Sequence, residues 1–247
     1  MKYYHFKALL QDTEWLSPAY VGIGGEGTLE YLSENPPGEV SAIESVKGIV
    51  IPGFQNAHSH AFQYAMAGMA ELHPSGTTDN FWSWREAMYN CALSMNPDQV
   101  EATATMLYTE MIRKGYTHVA EFHYLHHDKT GKPYSNPVEM GERLIAAALT
   151  SGINITLIPI LYKTGNFGEV PQPRQRRFIS QTIDDYLFLL QATAKLVSRN
   201  PNSRLGFGIH SLRAVELTDI ITTFQGGPKT IPFHLHAAEQ LKEVEDC

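Results

Sequence analysis

The sequence predicts an α/β fold built on a parallel sheet. Three observations carry that expectation. From Lys47 onward, short apolar runs alternate with amphipathic helical stripes through five βα steps. At 247 residues the chain is long enough to bury a large core. The glycine-rich phosphate fingerprints of nucleotide-binding open sheets are missing; Gly22-Ile23-Gly24-Gly25 is the one near-match, and it lies in a β-rich segment. An open doubly wound sheet and a (β/α)8 barrel both satisfy the alternation.

Residues 1–47 read as a small all-β subdomain, with strand-like pieces at Tyr3–Leu10 and Ala19–Ile23 separated by Gly- and Pro-rich turns. Residues 48–247 read as the βα part. Gly48–Pro52 is a short apolar run leading into Gly53–His60. Pro97–Arg113 is a helix: Val100, Ala104, Leu107 and Met111 share a face, Asn96 is placed to cap it with Pro97 in the first turn, and Gly115 ends it. Thr117–Tyr124 is a strand, Val138–Leu149 a helix closed by Gly152, and Ile153–Leu161 a buried strand. A helical stripe runs through Ile183, Leu187, Leu190, Ala194 and Val197. Strand Leu205–His210, helix Val215–Phe224 and strand Ile231–His236 follow, with the start of a fifth helix up to Cys247. The stretch Ala61–Asn96 shows no clear element, and Phe81, Trp82 and Trp84 in it read as ordinary packing.

Composition narrows the function. Nineteen Lys and Arg against 26 Asp and Glu leave a net charge of −7, which speaks against a nucleic-acid surface. Two cysteines give neither a disulfide framework nor a thiolate zinc site. No apolar run is long enough for a bilayer, and the N-terminus lacks the pattern of a secretory signal. The expectation is a soluble, reduced, cytoplasmic protein.

The chemistry gathers at histidines. His58-Ser59-His60 falls where the first strand of the repeat ends, and residues i and i+2 of a strand share a face. Two imidazoles there can converge on one cation. His234-Leu235-His236 repeats the device at the fifth strand, and Glu239 follows three residues later, placed to act as a base without being a ligand. Two such pairs, one trailed by a carboxylate, point to a metal site.

At this point a resemblance is visible. Pro52–His60 resembles the first-strand signature of the amidohydrolase superfamily, and His234–Glu239 resembles that of its deaminase branch. His58–Gln63, Phe81–Glu86, Glu121–Tyr124, His210–Ala214 and His236–Gln240 are similar to the members that hydrolyse N-formimino-L-glutamate. The resemblance implies a metal-bearing (β/α)8 barrel with a small flanking β-sandwich. It implies His58, His60 and His236 as ligands of one divalent ion, zinc first, with iron or manganese also suited. His236 is preferred over His234 because it lies nearer the strand end. It also implies Glu239 as proton shuttle, and Gln63, Arg85, Tyr124, His210 and Arg213 as substrate contacts. The reaction implied is deimination to N-formyl-L-glutamate and ammonia, with a small molecule as the partner and a homodimer left open. Two arginines suit a diacid, because a guanidinium pairs bidentately with a carboxylate.

Other readings stand beside these. A purine or guanine deaminase fits the histidines but needs no pair of arginines, and a non-catalytic metal- or partner-binding form is a further alternative. Arg85 also reads as a solvated surface residue, and His210 as a structural histidine. His123, His126 and His127 read as a solvated loop, and His5, His73 and His118 as residues without a functional part. Met66, Met69 and Met88 read as core or loop filler. The family's strand-six His and strand-eight Asp find no counterpart in the 247 residues. The expectation is therefore a partial form carrying five of eight βα units, its fifth helix cut short.

Overall fold

The computed structural model describes residues 1–38, 40, 42–69 and 81–247, with the side chains of residues 81 and 82 left aside. It divides into two compact units, Met1–Gly53 and Phe54–Cys247.

The first unit is one five-stranded sheet: β1 (Lys2–Gln11), β2 (Glu14–Leu16), β3 (Ala19–Ile23), β4 (Leu29–Ser33) and β5 (Ile43–Val50). The path β2-β1-β3-β4 is antiparallel, and β5 runs parallel to β1. The compact units divide at Gly53, and the apolar run after Lys47 belongs to a strand that pairs with β1. The expected β-sandwich is represented, among the described residues, by this one sheet.

The second unit holds the βα repeat. It comprises β6 (Phe54–Ser59), α1 (Phe81–Ser94), α2 (Pro97–Arg113), β7 (Tyr116–His123), α3 (Glu139–Ser151), β8 (Asn154–Leu161), α4 (Ile183–Val197), β9 (Ser203–Leu205), β10 (Phe207–Ser211), α5 (Leu217–Gly226), β11 (Phe233–His236) and α6 (Leu241–Asp246). The sheet runs β11-β10-β8-β7-β6, every neighbouring pair parallel. β9 and β10 both pair with β8 and are separated by Gly206, so they form one interrupted strand. No described helix is long and apolar enough to cross a membrane.

Local chemistry explains the main elements. α2 starts at a complete capping box, with Asn96 and Gln99 each holding the other's backbone N–H. α4 starts at a second box made by Thr182 and Asp185. α3 ends at Gly152, whose φ of 84° is the left-handed cap conformation that glycine adopts without strain. β8 is nearly continuous apolar sequence because helices cover one face of a parallel sheet and core side chains fill the other. Gly208 is fixed by close approach: a Cβ there would lie 2.1 Å from the His234 carbonyl oxygen on β11.

The sheet must curl. Five flat strands would put β6 and β11 about 19 Å apart. Yet the Nε2 atoms of His60, just past β6, and His236, at the end of β11, are 3.2 Å apart. The parallel sheet thus forms part of a barrel wall with its strand C-termini turned toward one another.

α1 was not legible as an element in the sequence. Its buried residues Met88, Tyr89, Cys91 and Ala92 crowd into its C-terminal half, so no single stripe runs its length. Met66 and Met88 are core, whereas Met69 is exposed.

Candidate metal centre and pocket

The sheet's strand ends supply the floor of one pocket. His60 follows β6, Tyr124 follows β7, Tyr162 follows β8, His210 lies in β10 and His236 closes β11. This is the carboxyl end of the strands, where barrel folds carry their sites.

Three imidazoles converge there. The Nε2 atoms of His58, His60 and His236 form a triangle with edges of 3.1, 3.2 and 3.1 Å. These contacts cannot all be hydrogen bonds, since a neutral imidazole has one N–H. His60 spends its N–H at Nδ1 on the Phe122 carbonyl, 2.9 Å away, which turns the bare Nε2 lone pair inward. Burial lowers His60 to about 3 and His236 to about 4, and lowers His58 as well, so the cluster is neutral at pH 7. A tetrahedral ion bound at zinc–nitrogen distances separates its ligand atoms by about 3.3 Å. The observed triangle and the neutral donor set therefore fit a divalent ion. His234, the other member of its pair, lies outside this group of ligand atoms. The Phe122 ring lies beneath the cluster, 4.3–5.2 Å from each of the three rings.

The remaining expected residues surround the triangle. Gln63 donates from Nε2 to the Tyr124 hydroxyl at 2.8 Å. Arg85 stands on α1, faces the pocket and donates from Nε to the Tyr89 hydroxyl at 2.9 Å. Its expected alternative as a solvated surface residue is thereby replaced by a place in the pocket wall. Trp84 packs against the core, as expected, and also lines the pocket wall, while the side chains of Phe81 and Trp82, and His73, lie outside the described residues. His210 is buried with its ring 4.9 Å from that of His236.

Glu239 and Arg213 are joined. One Arg213 nitrogen donates to Glu239, and the other donates to Glu243 at 2.9 Å. Glu243 also accepts the Glu239 backbone N–H at 3.0 Å. Glu239 lies close enough to raise the proton affinity of His58 and His60 against the effect of burial.

The expectation of a solvated loop for His123, His126 and His127 fails. His123 and His126 are buried, and the ring nitrogens of His126 and His127 donate to the carbonyls of Ile160 and Ile179. They are structural, because strand-end loops folded against the sheet must satisfy the carbonyls they cover.

Sequence reasoning also missed Glu121. It is buried on β7, and its carboxylate accepts the Ala61 N–H at 2.6 Å, pinning the backbone immediately after His60. Burial pushes its carboxyl up to about 7. A charged residue inside an apolar strand run was the available signal.

Comparison with known proteins agrees with this geometry. The chain is 43% identical over 242 residues to formimidoylglutamate deiminase of Pseudomonas aeruginosa, an alignment covering 98% of this chain and 52% of that protein. It superposes on the crystal structure of an amidohydrolase from Brucella melitensis with a TM-score of 0.87 at 41% identity, over 100% of this chain and 54% of the other. Atrazine chlorohydrolase from Arthrobacter aurescens, complexed with zinc, shares the fold at a TM-score of 0.74 and 17% identity, covering 98% of this chain and 54% of that one. The chain thus spans about half the length of the relatives it matches. The sequence profile of the amidohydrolase family matches residues 49–188, the segment that runs from the first histidine pair into α4, and the chain belongs to that family.

Proposed function

We propose that this chain carries the metal-binding half-site and much of the substrate pocket for hydrolytic deimination of N-formimino-L-glutamate to N-formyl-L-glutamate and ammonia. One observation carries the reading: two of the three converging imidazoles, His60 and His236, line the same pocket as two guanidinium groups, with His58 completing the cluster beside it. The first set suits a divalent ion, and the second suits a small diacid. The name of the Pseudomonas aeruginosa relative points to the same substrate.

His58, His60 and His236 would hold the ion, zinc being the first choice. When bound, the ion supplies Lewis acidity at the formimino carbon and lowers the pKa of water toward neutrality. Glu239 is placed to take a proton from the attacking water and pass it to the departing nitrogen, which leaves as ammonia. Arg213 holds the Glu239 carboxylate in place and faces the pocket for one substrate carboxylate. Arg85 is suited to the other. Gln63, Tyr124 and His210 border the space between them and suit the formimino and amide atoms. A cytoplasmic setting fits a small charged metabolite and the unpaired cysteines Cys91 and Cys247.

The test is ammonia release from N-formimino-L-glutamate and from guanine by zinc-supplied protein in which all eight βα units are present, with Arg85→Ala and Arg213→Ala variants alongside. Release from the formimino substrate alone, lost in both variants, is the expected result. Release from guanine alone, or full activity in both variants, overturns the reading.

A further inference from the structure

Two tyrosines line the pocket without a part in the reaction above: Tyr89 on α1 and Tyr162 after β8. Both are almost wholly buried. The direction of their hydrogen bonds is fixed by their partners.

Tyr162 meets Gln175, itself fully buried. The Gln175 side-chain oxygen accepts the Gln172 backbone N–H at 2.7 Å, and its Nε2 donates to the Gly165 carbonyl at 3.2 Å. Two backbone groups of opposite polarity therefore leave the amide one orientation. Its second N–H goes to the Tyr162 hydroxyl at 2.8 Å, so that oxygen must accept. Tyr89 receives the Arg85 Nε–H at 2.9 Å, and a guanidinium never accepts. Both phenolic oxygens are thus used as acceptors, and both O–H protons are left to be donated. Among the described residues, no hydrogen bond donated by either hydroxyl is found, and the two tyrosines lie close enough to each other and to Arg85 to interact. A buried donor without an acceptor is costly, and the group that repays it here must present oxygen lone pairs next to the Arg85 cation. Burial raises the Tyr89 pKa, so that hydroxyl stays a donor at neutral pH.

We propose that Tyr89 and Tyr162 are specificity-determining substrate contacts, donating their hydroxyl protons to the carboxylate that Arg85 receives, with Gln175 setting the direction of Tyr162. Guanidinium and two hydroxyls together form a receptor for one planar anion. A neutral purine edge offers acceptors of its own but no negative charge to pair with the Arg85 cation. The identity of the anion as one end of formiminoglutamate rests on the function proposed above.

Calorimetric binding to zinc-supplied protein tests this with three stable ligands: N-formyl-L-glutamate, 4-formamidobutanoate and 2-formamidobutanoate. The last two each keep a single carboxylate, one at each end of the parent diacid. Arg85→Ala identifies which of them Arg85 receives. Tyr89→Phe and Tyr162→Phe, which keep the packed rings, are expected to weaken N-formyl-L-glutamate and that same mono-acid about tenfold each. The other mono-acid should bind each variant as it binds the parent, which also shows that the variants are folded. Unchanged affinity in both Phe variants, where the parent binds the diacid, overturns this inference alone. Equal weakening of both mono-acids overturns it as well, since that is general damage to the pocket. A parent protein that binds none of the three overturns the formiminoglutamate reading together with this one.

Discussion

The imidazole cluster and the guanidinium wall share a pocket but are held by different means. His58, His60 and His236 stand at strand ends: His236 pairs with Ser211 on β10, and His58 and His60 flank Ser59, which pairs with Glu121 on β7. Arg85 and Tyr89 stand on a helix, α1, outside the strand ladders. That helix is tied down by side chains from the segment after β8. Arg174 pairs with Glu86, and the fully buried Arg177 donates to the Ala92 and Met95 carbonyls at the end of α1. Arg177 also reaches the His127 carbonyl at 2.8 Å, so one guanidinium clamps α1 to the loop after β7. The difference teaches that the metal-binding edge is part of the sheet itself, whereas the α1 side of the substrate wall, with Arg85 and Tyr89, is a separately braced attachment.

Four experiments break or sharpen that contrast, the largest effect first. A His58→Ala, His60→Ala double variant should fall from about one zinc per chain to nearly none by elemental analysis, because one imidazole cannot hold the ion. Retained metal would place the ion elsewhere. Arg85→Ala or Arg213→Ala should keep the metal yet bind N-formyl-L-glutamate about a hundredfold more weakly by calorimetry, as expected for a lost charge-assisted pair of about 2–3 kcal/mol. Metal loss in either variant would show that the two edges are not independent.

The third experiment is acidification. His126 is held at about 3 in the fold by burial, far below its unfolded value near 6.5. Its neutral form is the folded one, so its contribution is present above about pH 6.5 and is lost as pH falls toward 3. At pH 5 the loss is about 2 kcal/mol, and His126→Gln should flatten that part of the urea-unfolding profile. The effect belongs to the loop after β7 and should leave ligand affinity at pH 7 unchanged. The smallest is Asn96→Ala, which removes one side of the capping box and should cost about 1 kcal/mol in the same unfolding assay. It sets the background for a change that touches no residue of the pocket.

Legibility in the sequence follows the same division. A strand alternates faces with a fixed period, so two His-x-His patterns at strand ends mark a convergence without knowledge of the tertiary fold. The capping boxes and the glycine after α3 are local in the same sense. The wall is not local. Tyr162 becomes meaningful only when Gln175, thirteen positions later, fixes its hydrogen bond. Glu243 matters because it meets Arg213 from thirty positions away. Nor does any short-range pattern tell His126, locked to a carbonyl on β8, from a solvated loop histidine.

The Phe122 ring has a kinetic corollary. It packs against all three imidazoles at once, 4.3–5.2 Å from each, whereas His58 stays exposed on another side. A bound ion can then exchange past His58 without passing the substrate, and a chelator should strip zinc at a rate that a saturating diacid leaves largely unchanged.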